Sequence, residues 1–356
     1  MAKGWEVAIR VQEDSAGWGS TIGAAARPGW FLFVDNESLA KNTVVKERDE
    51  KIMPMRLSPV QSANVEQQSP GGAITFQPRA DDCVSLLMAF FQSATLIGGG
   101  SATAIGGTGG TWVFTPVGKS LSWSGVAFGT TSVYPVNVEK YFGEGLTGTG
   151  DGARFERGIV TKLTLDQAAA ADLVMTADMR FLQVTDESVL GTGFKSAPNS
   201  VGSYSNQGMF IDWNGTLSVG GNSYAIERIR FDLDNSVTER RKLGQKGFYQ
   251  FPFGRAIFSG EFDVELEDMS IFKEGTTGGT LIAHWQNSDG QFLRVFAPNI
   301  FYRASDVSVG DTGPVMRTVG FRCYPTAFGG SNAVQVEVYP KYGTGGPPAQ
   351  SKLVFA

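Results

Sequence analysis

The sequence is poor in the residues that most enzymes work with. It has one histidine, His284, and two cysteines, Cys83 and Cys323, in 356 residues. One imidazole and no CxxC pair leave a zinc site short of ligands. Both cysteines sit in apolar runs, Cys83-Val84-Ser85-Leu86-Leu87 and Gly320-Phe321-Arg322-Cys323-Tyr324, where a free thiol behaves as a small hydrophobe. His284 lies in Leu281-Ile282-Ala283-His284-Trp285 and reads as a hydrogen-bonded structural residue of an apolar strand. No HExxH, GxSxG or Walker pattern occurs. The glycines at 107–110 lack the strand–loop–helix setting of a phosphate cradle. No catalytic residue, metal or cofactor is expected.

Charge is also scarce. Charged residues make up 18% and the formal net charge is −5. Nucleic-acid binders take most of their affinity from a basic field facing the phosphates, so tight DNA binding is not expected. DNA that passes without sticking is compatible with this balance. No apolar run approaches the roughly 18 residues of a membrane span. The start, Met1-Ala2-Lys3-Gly4-Trp5-Glu6, shows no apolar signal region, which predicts cytoplasmic synthesis without membrane insertion.

What is abundant is glycine, with 46 residues, and phenylalanine, with 25. Hydrophobic residues reach 42%. The length suits one large β domain or two smaller domains, with a core that needs no disulfide or metal. Many Gly and Phe with little charge suit strands joined by turns. The alternation at Ala73–Gln77, Leu173–Phe181, Tyr224–Leu233 and Arg255–Glu267 predicts half-buried strands. Shorter strands are predicted at Gly29–Val34, Trp112–Thr115, Val133–Phe142, Ile159–Leu165, Thr280–Trp285, Phe292–Ala297, Val315–Tyr324 and Ala333–Tyr339. Cys83, Leu86, Leu87 and Phe90 fall on one helical stripe after an acidic turn. A second short helix is expected at Met269–Lys273. Residues 42–51 suggest an exposed hairpin or loop, and 52–70, with three prolines, read as irregular.

These segments divide into an N-terminal arm (1–28), a first β domain (29–185), a polar linker (186–215), a second β domain (216–342) and a C-terminal tail (343–356). The arm is Gly- and Ala-rich, and such arms are ordered only when docked. Strand, acidic turn and short helix occur at 73–91 and again at 261–273, which suggests an internal repeat.

Three surface features invite a role. Glu261, Asp263, Glu265 and Glu267 share one face of the 255–267 strand. As a paired acid/base or Ca²⁺ site they would repel one another if buried, so a solvated face fits better. A negative face lining a channel for another anion also fits. Phe248, Tyr249, Phe251 and Phe253 form an aromatic loop between Gly247 and Gly254, suited equally to core packing and to a subunit interface. Arg240, Arg241 and Lys242 read as an exposed basic turn, able to meet nucleic acid or an acidic patch on a neighbouring copy.

The order of elements resembles the tail tube (major tail) proteins of long-tailed, non-contractile bacteriophages. The residues that carry the likeness are Phe231-Asp232-Leu233-Asp234-Asn235, the charged loop Thr238–Gly247 and the long strand Ile257–Asp268 running into Met269–Lys273. Phe292–Ile300 and the strand Val315–Tyr324 follow, and Phe155–Leu165 with Leu173–Phe181 looks like the middle of such proteins. The resemblance covers most of residues 130–340. It implies a mainly β chain, a β-sandwich or split barrel with a short flanking helix, duplicated in the chain.

It further implies a virion protein, synthesised in the bacterial cytoplasm, whose rings stack into a hollow tube for DNA ejection. In members with a duplicated fold, three chains form a ring that imitates six; homohexameric rings are the alternative. The partners implied are further copies, the tape measure protein, the tail terminator, distal tail proteins and DNA in transit, with no membrane. On that view Glu261, Asp263, Glu265 and Glu267 face the lumen. Phe248, Tyr249, Phe251 and Phe253 meet a neighbouring subunit, and Arg240, Arg241 and Lys242 sit between rings. A tail terminator, baseplate hub or capsid decoration protein is the runner-up in the same class. A carbohydrate-binding or glycosidase β-sandwich would need an aromatic platform with paired carboxylates.

Overall fold

The computed structural model describes residues 7–13, 30–32, 34–47, 63–79, 83–92, 94–97, 111–114, 135–142, 152–186, 215–243, 246–265, 277–287, 291–308, 316–324 and 334–339. Over these residues the chain is mainly β, with nineteen strands and one helix. The first half contains β1 (Val7–Glu13), β2 (Trp30–Leu32), β3 (Val34–Glu37), β4 (Thr43–Glu47), β5 (Ala63–Gln68) and β6 (Gly71–Phe76). Helix α1 (Cys83–Phe91) follows, then β7 (Ala94–Ile97), β8 (Thr111–Phe114), β9 (Val136–Phe142), β10 (Gly152–Ala168) and β11 (Val174–Asp186). The second half contains β12 (Gly215–Val219), β13 (Asn222–Tyr224), β14 (Ile226–Asp234) and β15 (Ile257–Glu265). It ends with β16 (Thr277–Gln286), β17 (Phe292–Ser308), β18 (Met316–Cys323) and β19 (Gln335–Tyr339).

All the ladders are antiparallel. One large sheet runs β3–β6–β11–β10–β14–β15–β18–β17–β16–β12–β13. Two strands of 17 residues, β10 and β17, make it fork. On one edge of β10, Gly152–Gly158 pairs with β9 and Lys162–Ala168 pairs with β14. On one edge of β17, Phe292–Phe296 pairs with β19 and Ile300–Ser308 with β18. The side branches continue as β9–β1–β2 and β19–β8–β7. Followed strand by strand, the ladders among the described residues branch without returning on themselves. Strands β4 and β5 form a separate hairpin.

The side chains explain the layering. Along β14, Ile229, Phe231 and Leu233 are buried and the charged residues between them lie on the other face. Leu163 and Leu165 on β10 and Met175, Ala177, Met179 and Phe181 on β11 are likewise buried. One contiguous core joins both halves. Phe231 stands at its centre, edge-on to Trp285 and Phe321. Trp285 Nε1 on β16 donates to Gln167 Oε1 on β10, which satisfies two buried polar groups across the halves.

Helix α1 packs on β10, β8, β1 and β9. Cys83, Leu86, Leu87 and Phe90 are buried, so the predicted stripe faces the core. Gln92 leaves the helix in the left-handed region at φ 57° and its side-chain amide donates to Ala89 O at 2.6 Å. Phe91 stacks on Phe258 of β15, so the helix also touches the second half. Gly220 and Gly221, both at positive φ, close the two-residue β12–β13 hairpin.

Several expectations need correction. Residues 63–68, expected to be irregular, form β5. Part of the segment expected as an arm is sheet: β1 is paired on both edges, and Ile9 and Val11 are buried. The strand expected at 292–297 continues to Ser308, because Pro298 falls in an irregularity of the β16–β17 ladder between Gly279 and Leu281, where a missing N–H is tolerated. The 159–165 and 173–181 strands are longer than expected: β10 begins at Gly152 and β11 runs on to Asp186. The second helix at 269–273 lies outside the described residues, as does the linker expected at 186–215 except for its ends, where Asp186 closes β11 and Gly215 opens β12.

Phe231→Ala is expected to lower unfolding stability by about 3–5 kcal/mol, whereas Leu243→Ala, at a 99% exposed side chain, stays within about 0.5 kcal/mol. Denaturant midpoints of the two variants check this. Cys83 and Cys323 are buried thiols outside any disulfide, and burial pushes the Cys323 thiol up to about 12. Both should resist a thiol reagent at neutral pH in the native protein and react on denaturation.

Candidate functional site

The spacing of β14 and β15 brings the charged residues of the large sheet onto one face. The register pairs Arg230 with Glu261 and Arg228 with Asp263. On the other flank of β14, β10 contributes Lys162, Thr164 and Asp166. Arg228 lies between two acidic groups. It holds Asp166 with two bonds, Nε to Oδ1 at 3.1 Å and Nη2 to Oδ2 at 2.8 Å, and approaches Glu261 at 3.9 Å. The hydrogen bond and charge of Asp166 raise its guanidinium above the ordinary arginine value, so it stays charged. Asp232 receives Lys162 at 3.6 Å, Arg230 at 3.1 Å and the Thr164 hydroxyl at 3.1 Å. Thr318 Oγ1 on β18 donates to Asp263 at 2.5 Å.

Glu261 and Asp263 therefore belong to a mixed face rather than a bare acidic row. The arginines of β14 run between the carboxylates of β10 and those of β15. Glu265 is exposed at the end of β15, and Glu267 lies outside the described residues. The face is half-open to solvent, so these pairs orient side chains more than they stabilise the fold.

The aromatic loop follows β14. Its root is tied down by Asn235, buried, whose side-chain amide donates to Phe90 O of α1 at 2.7 Å. The loop folds back on itself through Thr238 N to Pro252 O and the Arg240–Gln250 bridge. A side chain at Gly254 would collide with Ser236 O, and one at Gly247 with Leu182 O, so both flanking glycines permit close backbone approach. Phe248 and Phe251 pack with Ile159 in a small second core, lined by Leu182, Val237 and Phe253. They serve the core of their own chain. Tyr249, 50% exposed, and Leu243 are what the loop presents outward.

The basic turn is divided as well. Arg240, Arg241 and Lys242 are exposed along the loop. Arg241 nevertheless binds its own chain: its guanidinium reaches Gln68 O at 3.1 Å, Ser69 Oγ at 2.5 Å and Lys246 O at 3.3 Å, and lies over the Phe248 ring at 4.4 Å. Gln68 N donates back to Lys246 O, and Arg180 pairs with Glu239 at 2.8 Å. The loop is thus clasped to the end of the β4–β5 hairpin. Lys242 lies over the Tyr249 ring at 5.6 Å.

His284 is half-buried beside Arg294 and against Phe292; burial first, then the Arg294 charge, lowers its pKa. Among the described residues no group of three or more His, Cys, Asp or Glu is placed to hold a metal. No helix among them is long and apolar enough to cross a membrane. No family of known proteins matches the chain. No curated protein matches it either.

Two features of this surface were missed in the sequence: the clasp between loop and hairpin, and the pairing of β10 with β14. A double-mutant cycle over Arg228→Ala and Asp166→Ala should give a coupling of about 0.2–1 kcal/mol, as both side chains are about a third exposed. Raised salt should shrink it.

Proposed function

We propose that this chain is a structural subunit that joins copies of itself into stacked rings, a hollow tube of the phage tail type through which DNA passes. The observation that carries the reading is a repetition of ladders. The sequence β1, β2, β3, β6, β9, β10, β11 in the first half corresponds to β12, β13, β14, β15, β16, β17, β18 in the second. Ile9↔Leu32 and Val11↔Val138 match Leu217↔Tyr224 and Val219↔Leu281. Phe155↔Val138 matches Ala297↔Leu281. Met175↔Phe76 through Arg180↔Gly71 match Arg317↔Val264 through Arg322↔Ser259. The irregular steps repeat too. A register shift at Val34/Asn36 in β3–β6 matches one at Ile226/Arg228 in β14–β15. Such bulges mark a specific backbone path, so their recurrence supports a duplicated unit.

The two units then join edge to edge through β10 and β14 into one sheet. A unit that adds to another unit by its edge is suited to go on adding, and ring closure is a way to remove the edges that remain. On this reading three chains form a ring of six units; six chains is the alternative. The mixed face of Glu261, Asp263, Glu265 and Glu267 with the β14 arginines turns to the lumen, where its carboxylates keep DNA from adhering. Tyr249, Leu243 and Lys242 at the loop tip face the next ring or subunit. The tape measure, tail terminator and distal tail proteins are the partners such a tube needs in a virion, and no catalysis is assigned.

Electron microscopy of the concentrated purified protein tests this. Long hollow cylinders are expected. Single rings that never stack would favour a terminator, baseplate hub or decoration protein, and a monomer that binds glycans would favour the carbohydrate-binding reading.

A further inference from the structure

We infer that a second copy of this chain docks on the outer edge of Ser305–Ser308 in β17, presenting its own Ser38–Ala40 segment in the register of the β10–β14 join. The inference rests on the repeat proposed above. Strands β10 and β17 align through their hairpin partners: Leu163↔Ala177 and Leu165↔Met175 on one side, Ser305↔Val319 and Val307↔Arg317 on the other. Residues 34–40 align with 226–232, since the Ala40–Gly71 bridge occupies the place of Asp232↔Ser259. Within the chain, Thr164 pairs with Asp232 and Leu165 with Phe231. Between copies the same geometry pairs Asp306 with Ala40, Val307 with Leu39 and Ser308 with Ser38.

Among the described residues neither outer edge has a strand partner. Ser305–Ser308 pairs with β18 on one edge, and the described residues place no strand on the other. The 36–40 segment pairs with β6 through Ser38 N to Ala73 O and Ala40 N to Gly71 O, which turns the alternate N–H groups outward. One of these, Leu39 N–H, is held by its own neighbour's carboxylate, Glu37 Oε2, at 2.9 Å. A local acceptor of this kind satisfies an edge donor until a strand carbonyl replaces it.

The two joins differ in chemistry. The join inside the chain is braced by Arg228 to Asp166 and Lys162 to Asp232. The corresponding residues between copies are Asn36 with Ser308 and Ala40 with Ala304. The contact between copies thus relies on backbone hydrogen bonds.

Cysteine crosslinking tests this, since the native thiols are buried. Oxidation of the Ala40→Cys/Asp306→Cys variant should give a ladder of disulfide-linked chains ending in a closed species. The out-of-register Ser38→Cys/Ala304→Cys variant should give about tenfold less. Thr161 O and Ala169 N both bond toward β14, so the equivalent odd positions of β17 face outward. Val307→Pro should therefore leave the circular dichroism unchanged and abolish oligomers. Equal crosslinking of both pairs, tubes without crosslinks, or normal assembly of Val307→Pro overturns the inference. Crosslinked rings that never stack sustain it and overturn the tube reading alone; an uncrosslinked monomer at high concentration overturns both.

Discussion

A β-strand has two edges, and each edge carries backbone groups that must find partners or stay wet. In this chain the demand is met by length. β10 is long enough to take β9 on its first half and β14 on its second, while β11 covers the opposite edge. That shared edge is why the sheet forks. The β10–β14 ladder is also, with β8–β19, one of two seams that join the halves among the described residues. Without it, Trp285 would lose Gln167 and Phe231 would lose the packing continuity that makes a single core. The strain of the fork is taken by local irregularity: the β10–β11 register shifts between Val160 and Lys162, and the β10–β9 register between Phe155 and Gly158. Gly158 has no room for a Cβ, which would strike the Phe181 ring.

The charged face follows from the same seam. Once β14 lies between β10 and β15, its outward residues meet carboxylates on both flanks. Arginine is suited to that position, because a planar guanidinium can hold Asp166 with two bonds and still lie near Glu261. Lysine in place of Arg228 would offer a point charge and lose the fork geometry. The pairs are exposed enough that each contributes little to stability. Their effect is to fix the direction of side chains on a surface that would otherwise carry mobile like charges.

How much of this was legible beforehand depends on the kind of signal. Alternation is a local signal, and it placed the strands around Leu173–Phe181 and Ile229–Leu233 and the helix stripe of Cys83, Leu86, Leu87 and Phe90. It failed at Ala63–Gln68, where the segment is polar and owes its strand state to pairing with β4. It failed again at Val7–Glu13, a short strand embedded in a Gly- and Ala-rich stretch. Proline misled at Pro298, where a register irregularity lets the strand run on. The acidic row was visible as a row, but its arginine neighbours come from another strand and are set by register, which one segment does not reveal. The aromatic loop was visible as apolar, yet only the fold shows that Phe248 and Phe251 face Ile159.

The loop and the β4–β5 hairpin draw these points together. On the proposed repeat they are insertions at the same place, each between the third and fourth strands of its unit, and they touch through Gln68, Ser69, Arg241 and Lys246. An insertion at equivalent positions in two joined units emerges at the same end of the sheet. The two insertions are unlike in sequence, one a hairpin and the other an aromatic turn, so their contact is a heterologous clasp. On that repeat the β10–β14 seam joins the sixth strand of one unit to the third of the other, and the unlike insertions distinguish the two halves. Duplication followed by divergence of the insertions would leave the strand ladders constrained by pairing and the loops free to specialise. That is the distribution seen here: registers that repeat residue for residue, and insertions that do not.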